Sequence, residues 1–202
     1  MKIICVGKNY IDHIKEFDNK KPESIVLFMK PDTAIHNPEL SYYIPDFTND
    51  LHHEVEIIIK INQNGKHIAE KFAHKYYDEI GLGVDFTARD LQWKLKEAGL
   101  PWEKSKAFDG SAIIGKFVHK NTLDTENIAF RLEKNGEIVQ QGNSHQMIWK
   151  IDQIISEVSK FFTLRKGDLI FTGTPSGVGS VQPKDVLEGF LENEKAFSVL
   201  IS

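Results

Sequence analysis

The amino-acid sequence predicts an α+β fold that is mainly β, in which a largely antiparallel sheet carries a few covering helices. Three observations predict this class. Short β-branched and aromatic runs outnumber helical segments, Asn-Gly turn signals recur between the runs, and only one long segment has clear helical periodicity. Strands joined by hairpins and interrupted by single helices are typical of antiparallel α+β folds.

The first quarter of the chain alternates short strands with a helix and a loop. Residues 1–6 are predicted to form a buried strand that Gly7 ends, and residues 9–17 a short helix. The run IVLFM at 25–29 predicts a second buried strand. Three prolines fall between positions 31 and 45, which predicts loop and edge structure for residues 32–49.

The middle of the chain begins with the alternating, β-branched run EVEIIIKI at 54–61, which predicts a strand. The Asn64-Gly65 pair predicts a turn directly after it. Residues 73–79 are predicted to be a short helix and residues 81–86 a short strand. A further helix is expected to follow, opened by Thr87 as its N-cap and running to residue 98.

The last third contains the clearest local signals. Asn135-Gly136 predicts the turn of a hairpin within residues 125–142. Apolar side chains at helical spacing predict an amphipathic helix over 147–162. Strands are predicted at three places, namely residues 168–172, 186–191 and 196–201. Because no repeat or linker interrupts these elements, we expect residues 1–202 to form a single domain.

Composition narrows the classes of partner and location. The chain has 202 residues, 41% hydrophobic and 27% charged, with 25 Lys and Arg against 29 Asp and Glu. This balance offers no general basic surface for nucleic acid, so we expect a small-molecule partner and no nucleic acid or membrane partner. No apolar run approaches the length of a membrane span, and the start lacks a signal-peptide pattern, which favours a cytoplasmic protein. The single cysteine excludes an internal disulfide.

Three acidic residues form the most informative cluster. Glu54 and Glu56 are two apart on a predicted strand, so their side chains lie on one face, where they repel each other unless solvent or a cation separates them. Asp85, at the end of another predicted strand, is a candidate third ligand. An all-oxygen set without EF-hand spacing favours an open site for Mg²⁺ or Mn²⁺. The alternatives are an exposed strand face for the pair and an ordinary turn residue for Asp85.

A histidine–glutamate pair and four other groups are further candidates. His13 and Glu16, three apart on the first predicted helix, are spaced as a general base and the carboxylate that orients it, or they are an incidental surface pair. Arg89 opposes the helix dipole in a first turn, which invites an explanation. Lys30 and Lys106 are candidate anion-binding cations or solvated charges. The glycine-rich loop at 172–179 is either an anion-binding loop or a tight turn.

Six motifs together resemble the fumarylacetoacetate hydrolase family, in its short acylpyruvase and oxaloacetate decarboxylase-like branch. They occur in the family's order from about residue 5 to about residue 180: GKNYIDH, LFMKP, LHHEVEI, GVDFTARDLQ, GLPWEKSKAFDGSAIIG and FTGTPSGVG. The resemblance implies a mixed β-sandwich roll with a few covering helices, a homodimer, and Mg²⁺ or Mn²⁺ as cofactor.

Site roles follow from the same resemblance, position by position. It implies metal ligands at Glu54, Glu56 and Asp85, a catalytic set of His13, Glu16 and Lys106, and substrate contacts at Lys30, Arg89, Gln92 and Thr174. His13 and Glu16 match a short helix that becomes ordered as a lid over bound substrate. Two positions depart from the family pattern: Lys8 replaces a common Arg, and Asp32 stands where Ser is common in the acylpyruvase branch.

The implied activity is divalent-metal-dependent C–C bond cleavage of small 2-oxo acids, either acylpyruvate hydrolysis or oxaloacetate decarboxylation, through a pyruvate enolate stabilised by the metal. One alternative is an isomerase or decarboxylase of 2-hydroxyhepta-2,4-diene-1,7-dioate from aromatic catabolism. The other is a non-catalytic protein that binds oxo acids.

Overall fold

The computed structural model describes residues 1–16 and 22–202, and at positions 15 and 16 it describes the backbone without the side chains. Within these residues the strands are β1 (Ile3–Gly7), β2 (Val26–Lys30), β3 (Ile35–His36), β4 (Leu51–His53), β5 (Val55–Ile61), β6 (Tyr77–Asp85), β7 (Thr87–Ala88), β8 (Ala112–His119), β9 (Ala129–Lys134), β10 (Glu137–Asn143), β11 (Leu169–Phe171), β12 (Gly179–Ser180), β13 (Val186–Leu191) and β14 (Glu194–Leu200).

The helices are short and lie around the sheets. They are α1 (Ile11–Glu16), α2 (Glu70–Ala73), α3 (Arg89–Glu97), α4 (Glu103–Lys106) and α5 (Ile151–Phe161), with 3₁₀ turns at Asp32–Ala34, Lys120–Thr122 and Ser144–Gln146. In the described part of the chain, no helix is long and apolar enough to cross a membrane.

The strands form three sheets, and the predicted mainly β, mixed architecture is confirmed. The largest has the order β2-β1-β11-β5-β6-β8-β3 and is mixed, because β1 runs parallel to β11 and β3 parallel to β8. A four-stranded antiparallel sheet has the order β10-β9-β13-β14, and a small one the order β12-β4-β7. The small sheet brings β4 and β7 to the end of the large sheet where the acidic residues lie.

Strand β5 explains why the run IIIKI is so apolar. Ile57 and Ile59 belong to the main core cluster, which also holds β9 and α5 side chains, whereas Ile58 points to the opposite face with Ile3 and Phe171. Alternate side chains of a strand face opposite sides of its sheet, so burial on both faces requires a continuous apolar run. The large sheet is therefore covered on both sides near its centre.

Several predicted elements are confirmed, whereas one turn, one helix and the start of a second helix are wrong. The hairpin turn at Asn135-Gly136 has positive φ at both residues (57° and 83°), as its Asn-Gly sequence predicts. The Asn64-Gly65 pair makes no such turn, since neither residue is among the described positive-φ positions and Gly65 instead bridges to Leu164. Its Cα is crowded, because an added Cβ would lie 2.3 Å from the Tyr76 ring.

The predicted helix at 73–79 is also wrong, because α2 ends at Ala73 and β6 begins at Tyr77. Pairing of β6 with both β5 and β8 overrides the local helical tendency of this polar segment. The amphipathic helix predicted for 147–162 begins only at Ile151, since Met147 bridges to Tyr10 instead. The predicted end of the first helix, residue 17, lies outside the described residues.

Candidate active site

Three buried carboxylates meet where the start of β5 lies against the end of β6. Val55 pairs with Val84 and Glu56 with Gly83, while the Asp85 amide donates to the Glu54 carbonyl at 2.8 Å. This register brings oxygens of Glu54, Glu56 and Asp85 within 4.8 Å of one another, and all three residues are buried. The two strand ends therefore build an acidic cluster that neither strand contains alone.

Lys106, at the end of α4, places its ammonium among these acids. Its Nζ donates to Glu54 Oε2 at 2.9 Å, to Asp85 Oδ2 at 2.8 Å and to Thr87 Oγ1 at 2.6 Å. These bonds use all three protons of the ammonium group. Burial alone would lower the pKa of Lys106, but the carboxylates of Asp85 and Glu54 outweigh it and raise the pKa above its usual value.

Arg89, in the first turn of α3, holds Glu54 from the other side. Its guanidinium donates to Glu54 Oε1 and to Gln92 Oε1, the latter at 2.6 Å. Burial raises the pKa of Glu54, but Lys106, Arg89 and, to a smaller extent, His13 outweigh burial and hold the pKa well below its usual range. The unfavourable place of an arginine beside a helix N-terminus is thus explained by the carboxylate that it binds.

Glu56 is the acid with the least cationic compensation. Its Oε2 accepts from the Gly173 amide at 2.7 Å. Burial, Asp85 and Glu54 raise the pKa of Glu56 well above its usual value, against a smaller opposing effect of Lys106. The glycine-rich loop at 172–179, a candidate anion-binding loop, therefore directs an amide to a carboxylate of the protein itself.

Lys30 is not among the described residues that line the pocket, and its predicted contact with substrate stays a prediction. Its side chain is fully buried at the end of β2, 2.8 Å from Asp85 Oδ1. The ammonium also donates to Ser111 Oγ at 2.9 Å and to the carbonyl oxygens of Ser111 and Lys106. With its donors engaged in this way, Lys30 orients Asp85 from behind.

Most of the other residues that were predicted to be catalytic or substrate-binding line the pocket that contains the three acids. Its described lining includes His13, Arg89, Gln92, Lys106 and Thr174 together with the three acids. The lining also includes three aromatic side chains and two further cations, namely Phe28, Trp93, Trp102, Lys8 and Lys96. The Glu16 side chain lies outside the described part of the chain, so the predicted pair of Glu16 with His13 stays a prediction.

Thr87 and Gln140 are two site residues that the sequence reasoning missed. Thr87 was expected to cap α3, but Ala88 occupies that position without a side-chain cap. Instead the Thr87 hydroxyl donates to Glu54 Oε1 at 2.9 Å. The sequence does contain a signal for Thr87. Thr87 lies two residues after Asp85, and residues two apart in an extended segment face the same side, as Glu54 and Glu56 do. Gln140 lies on the four-stranded sheet, and no local pattern marks it.

The fold and the site together define a class of protein. It is a β-rich protein in which three buried carboxylates, paired with lysine and arginine at the end of a mixed β-sheet, form an oxygen-ligand site suited to a divalent cation. The chain belongs to the fumarylacetoacetate hydrolase family: residues 2–196 match the model of the fumarylacetoacetate (FAA) hydrolase C-terminal domain.

Relatives and solved structures agree with this assignment. The chain is 44% identical over 188 residues to the oxaloacetate tautomerase YcgM of Escherichia coli, covering 92% of this chain and 86% of that protein. It is 41% identical over 187 residues to the mitochondrial oxaloacetate tautomerase FAHD1 of Bos taurus, covering 92% and 85%. The fumarylpyruvate hydrolase of Pseudomonas aeruginosa, solved with Mn²⁺ and pyruvate, superposes with a TM-score of 0.94 at 34% identity, covering 100% and 89%.

Proposed function

We propose that this protein is a divalent-cation-dependent enzyme that interconverts the keto and enol forms of oxaloacetate or a closely similar 2-oxo dicarboxylic acid. The observation that carries the proposal is the buried group of Glu54, Glu56 and Asp85 at the floor of a pocket. The similarity to the oxaloacetate tautomerases of Escherichia coli and Bos taurus supports the choice of reaction.

The residues present fit a divalent cation. Three carboxylate oxygens within 4.8 Å of one another suit Mg²⁺ or Mn²⁺, and Glu56, whose pKa is raised by burial and by two neighbouring acids, gains most from an added positive charge. Such an ion, when bound, acts as a Lewis acid that makes the carbon next to a 2-oxo group more acidic. The solved neighbour that contains Mn²⁺ supports a divalent metal without deciding between the two.

The side chains of the chain supply the remaining functions. We assign to His13, on the pocket wall, the transfer of the proton between C3 of the oxo acid and solvent or the keto oxygen. Lys106, which already faces two carboxylates, stabilises negative charge that develops on the substrate. Arg89, Gln92 and Thr174 hold the substrate in place.

The cations in the pocket favour a dicarboxylate as substrate. Its described lining carries Lys8, Arg89, Lys96 and Lys106 against three carboxylates. A divalent ion would leave this lining with a clear positive excess. Burial lowers the pKa of Lys96, and the positive charges of Lys8 and Arg89 lower it further by repulsion. A second carboxylate on the substrate would offset that repulsion, whereas the methyl group of acetylpyruvate would not.

C–C bond cleavage is the second candidate, favoured by the likeness to a fumarylpyruvate hydrolase. In hydrolysis His13 would remove a proton from a water that attacks the distal carbonyl, and in decarboxylation carbon dioxide would leave without water attack. His13→Ala would then damage hydrolysis more than decarboxylation. Isomerisation of a hydroxydiene-dioate without cleavage would identify the third candidate.

The experiment follows oxaloacetate, acetylpyruvate and the diene-dioate by proton NMR, with purified protein in Mg²⁺, Mn²⁺ or EDTA. We expect metal-dependent exchange of the C3 protons of oxaloacetate with solvent. This exchange should be faster than the release of pyruvate from oxaloacetate or from acetylpyruvate. Asp85→Asn should abolish this activity and the binding of Mn²⁺ in calorimetry. The control Glu79→Gln, at a half-buried position of the same strand β6 whose carboxylate pairs with Lys60, should change neither. No metal-dependent reaction with any substrate would overturn the proposal.

A further inference from the structure

Gln140, on β10, connects the four-stranded sheet to the floor of the pocket. The residue is 1% exposed. Its Oε1 accepts from the Val55 amide at 3.0 Å and lies 2.9 Å from His53 Nδ1. Its Nε2 donates to Thr174 Oγ1 at 2.8 Å and to the Pro175 carbonyl at 3.1 Å. All four hydrogen-bonding positions of the amide are therefore used.

The backbone fixes which way this amide faces. A backbone N–H can only donate and a carbonyl oxygen can only accept, so Val55 must face Oε1 and Pro175 must face Nε2. A flipped amide would turn both bonds into repulsive contacts. It follows that His53 Nδ1 carries a proton and that Thr174 Oγ1 is an acceptor toward Gln140.

The direction of the Gln140–Thr174 bond determines what Thr174 offers the pocket. A hydroxyl that accepts from one neighbour points its own proton away from that neighbour. Thr174 lines the pocket together with the three acids, and the adjacent Gly173 amide is held by Glu56 at 2.7 Å. The Thr174 hydroxyl is thus set as a donor beside the carboxylate cluster.

We propose that Gln140 is a positioning residue that keeps the Thr174 hydroxyl as a hydrogen-bond donor toward an anionic oxygen of the bound ligand, such as a carboxylate of a 2-oxo acid. This inference rests on the proposed function, because it needs an oxo acid in the pocket. Without Gln140, the Thr174 hydroxyl is free to rotate and to present a lone pair, which repels a carboxylate.

Close packing holds the glycine-rich loop at 172–179 against β10, and this keeps Thr174 next to Gln140. An added Cβ at Gly177 would lie 2.3 Å from the Val139 carbonyl oxygen, and one at Gly142 would lie 3.0 Å from Pro175. The glycines therefore allow the loop and the strand to approach closely. Because packing already fixes the backbone of this loop, the rotation of the Thr174 hydroxyl is what the hydrogen bond from Gln140 restricts.

The test is a double-mutant cycle with Gln140→Glu and Thr174→Val. A glutamate carboxylate only accepts hydrogen bonds, so it still satisfies Val55 but draws the Thr174 proton away from the pocket. With Mn²⁺ bound, we expect each single variant to bind oxalate about tenfold more weakly in calorimetry and to raise KM for oxaloacetate more than it lowers kcat. The double variant should bind no more weakly than Thr174→Val alone. Gln141→Glu, exposed on the same strand, is the control and should bind oxalate like the wild type.

Each outcome bears on the inference. Losses that add in the double variant, or an unchanged affinity in Gln140→Glu, would overturn the role of Gln140 while leaving the proposed function intact. If Gln140→Glu does not fold, a wild-type structure with oxalate decides, and a Thr174 Oγ beyond hydrogen-bond distance of the oxalate contradicts the inference. A wild type that neither binds oxalate nor reacts with oxaloacetate would overturn both proposals.

Discussion

At the scale of single residues, the site is governed by charge compensation inside the protein. Removing a charged group from water costs several kcal/mol unless partners replace the hydration. Glu54 has Lys106 and Arg89, and Asp85 has Lys106 and Lys30. Glu56 depends on the Gly173 amide, and its pKa is raised. The acids thus differ in how much they gain from a bound cation.

Lys106→Met tests this compensation, because it keeps the aliphatic chain and removes the ammonium. In EDTA we expect the free energy of unfolding to fall by about 3–5 kcal/mol, since two buried carboxylates lose their shared partner. Urea unfolding measures the change, and Mn²⁺ should restore more stability to the variant than it adds to the wild type. Lys104→Met, exposed on the same helix, is the control. A variant as stable as the wild type in EDTA would contradict the prediction.

Much of the candidate site was predictable from residue spacing and from the family resemblance. The two-residue spacing of Glu54 and Glu56 predicted a shared face, and the structure brings both to Asp85. The ion pair of Lys30 with Asp85 was not predictable, because a sequence does not show which buried carboxylate a lysine will reach. Gln140 was missed because its partners lie more than 30 positions away, on another sheet (His53) and in a loop (Thr174).

At the scale of elements, strand β6 contains a glycine, Gly83, at a position that has no room for a side chain. An added Cβ at Gly83 would lie 2.1 Å from the Ile113 carbonyl oxygen on β8 and 2.5 Å from Ile58 Cδ1 on β5. These two neighbours lie on the strands that flank β6 in the large sheet. Since Asp85 is two residues further on, displacement of β6 at this point also displaces a site carboxylate.

We therefore expect Gly83→Ala to lower the free energy of unfolding by about 3 kcal/mol and to weaken Mn²⁺ binding. Urea unfolding and calorimetry measure the two effects. Gly179→Ala is the matched control, because the atom nearest to its added Cβ is 3.5 Å away. Equal stability of the two variants would show that β6 and β8 can separate without cost.

The junction of β1 and β11 predicts a dependence on pH. Asp168 accepts from the Lys2 amide at 2.9 Å, from the Lys2 ammonium and from the Arg165 amide at 2.8 Å. Burial raises the pKa of Asp168, but these bonds outweigh burial and lower the pKa below its usual value. A carboxyl with a lowered pKa in the folded state stabilises it above the unfolded pKa, and this contribution is lost as pH falls through the folded value.

Asp168→Asn should accordingly lower the free energy of unfolding by about 2 kcal/mol at pH 7, and the difference should shrink below about pH 4. Urea unfolding over a pH series measures it. Asp109→Asn, at an exposed position, should follow the wild type throughout. A difference that grows toward low pH would contradict the assigned sign.

Sequence motifs predicted those elements well whose conformation depends on neighbouring residues alone. The Asn135-Gly136 turn was found because positive φ at both residues selects that pair. The same dipeptide at Asn64-Gly65 was misleading, because β5 reaches its neighbour β6 through a longer connection that contains α2. The pairing of β6 was not visible in the residues before it, since strand pairing is decided by distant partners.

At the scale of the whole molecule, one core joins all three sheets. The main cluster contains Ile4 from the large sheet, Leu51 from the small one and Phe130 from the four-stranded one. The prediction that residues 1–202 form a single domain has a direct consequence. Urea unfolding followed by far-ultraviolet circular dichroism and by tryptophan fluorescence should give one coincident transition, because Trp93 and Trp102 lie at the pocket and Trp149 packs on the core. Two separate transitions would contradict a single domain.

Homodimer formation, implied by the family resemblance, stays a prediction for this chain. Large apolar side chains of one loop are exposed at Leu40 (61%), Tyr43 (75%) and Phe47 (54%), as is common where protein surfaces meet. Light scattering should give about 46 kDa, twice the 23.1 kDa of the chain. A mass of one chain at micromolar concentration would contradict it.

The lysines that neutralise Glu54 and Asp85 come from within the chain, and this affects how the protein matures. A newly synthesised polypeptide carries its own counter-charges for these acids, so we expect it to reach its final shape in cells starved of magnesium and manganese. Acquisition of the ion then becomes a late event, separate from biosynthesis, and the supply of metal would set how much of the protein is active without changing how much accumulates.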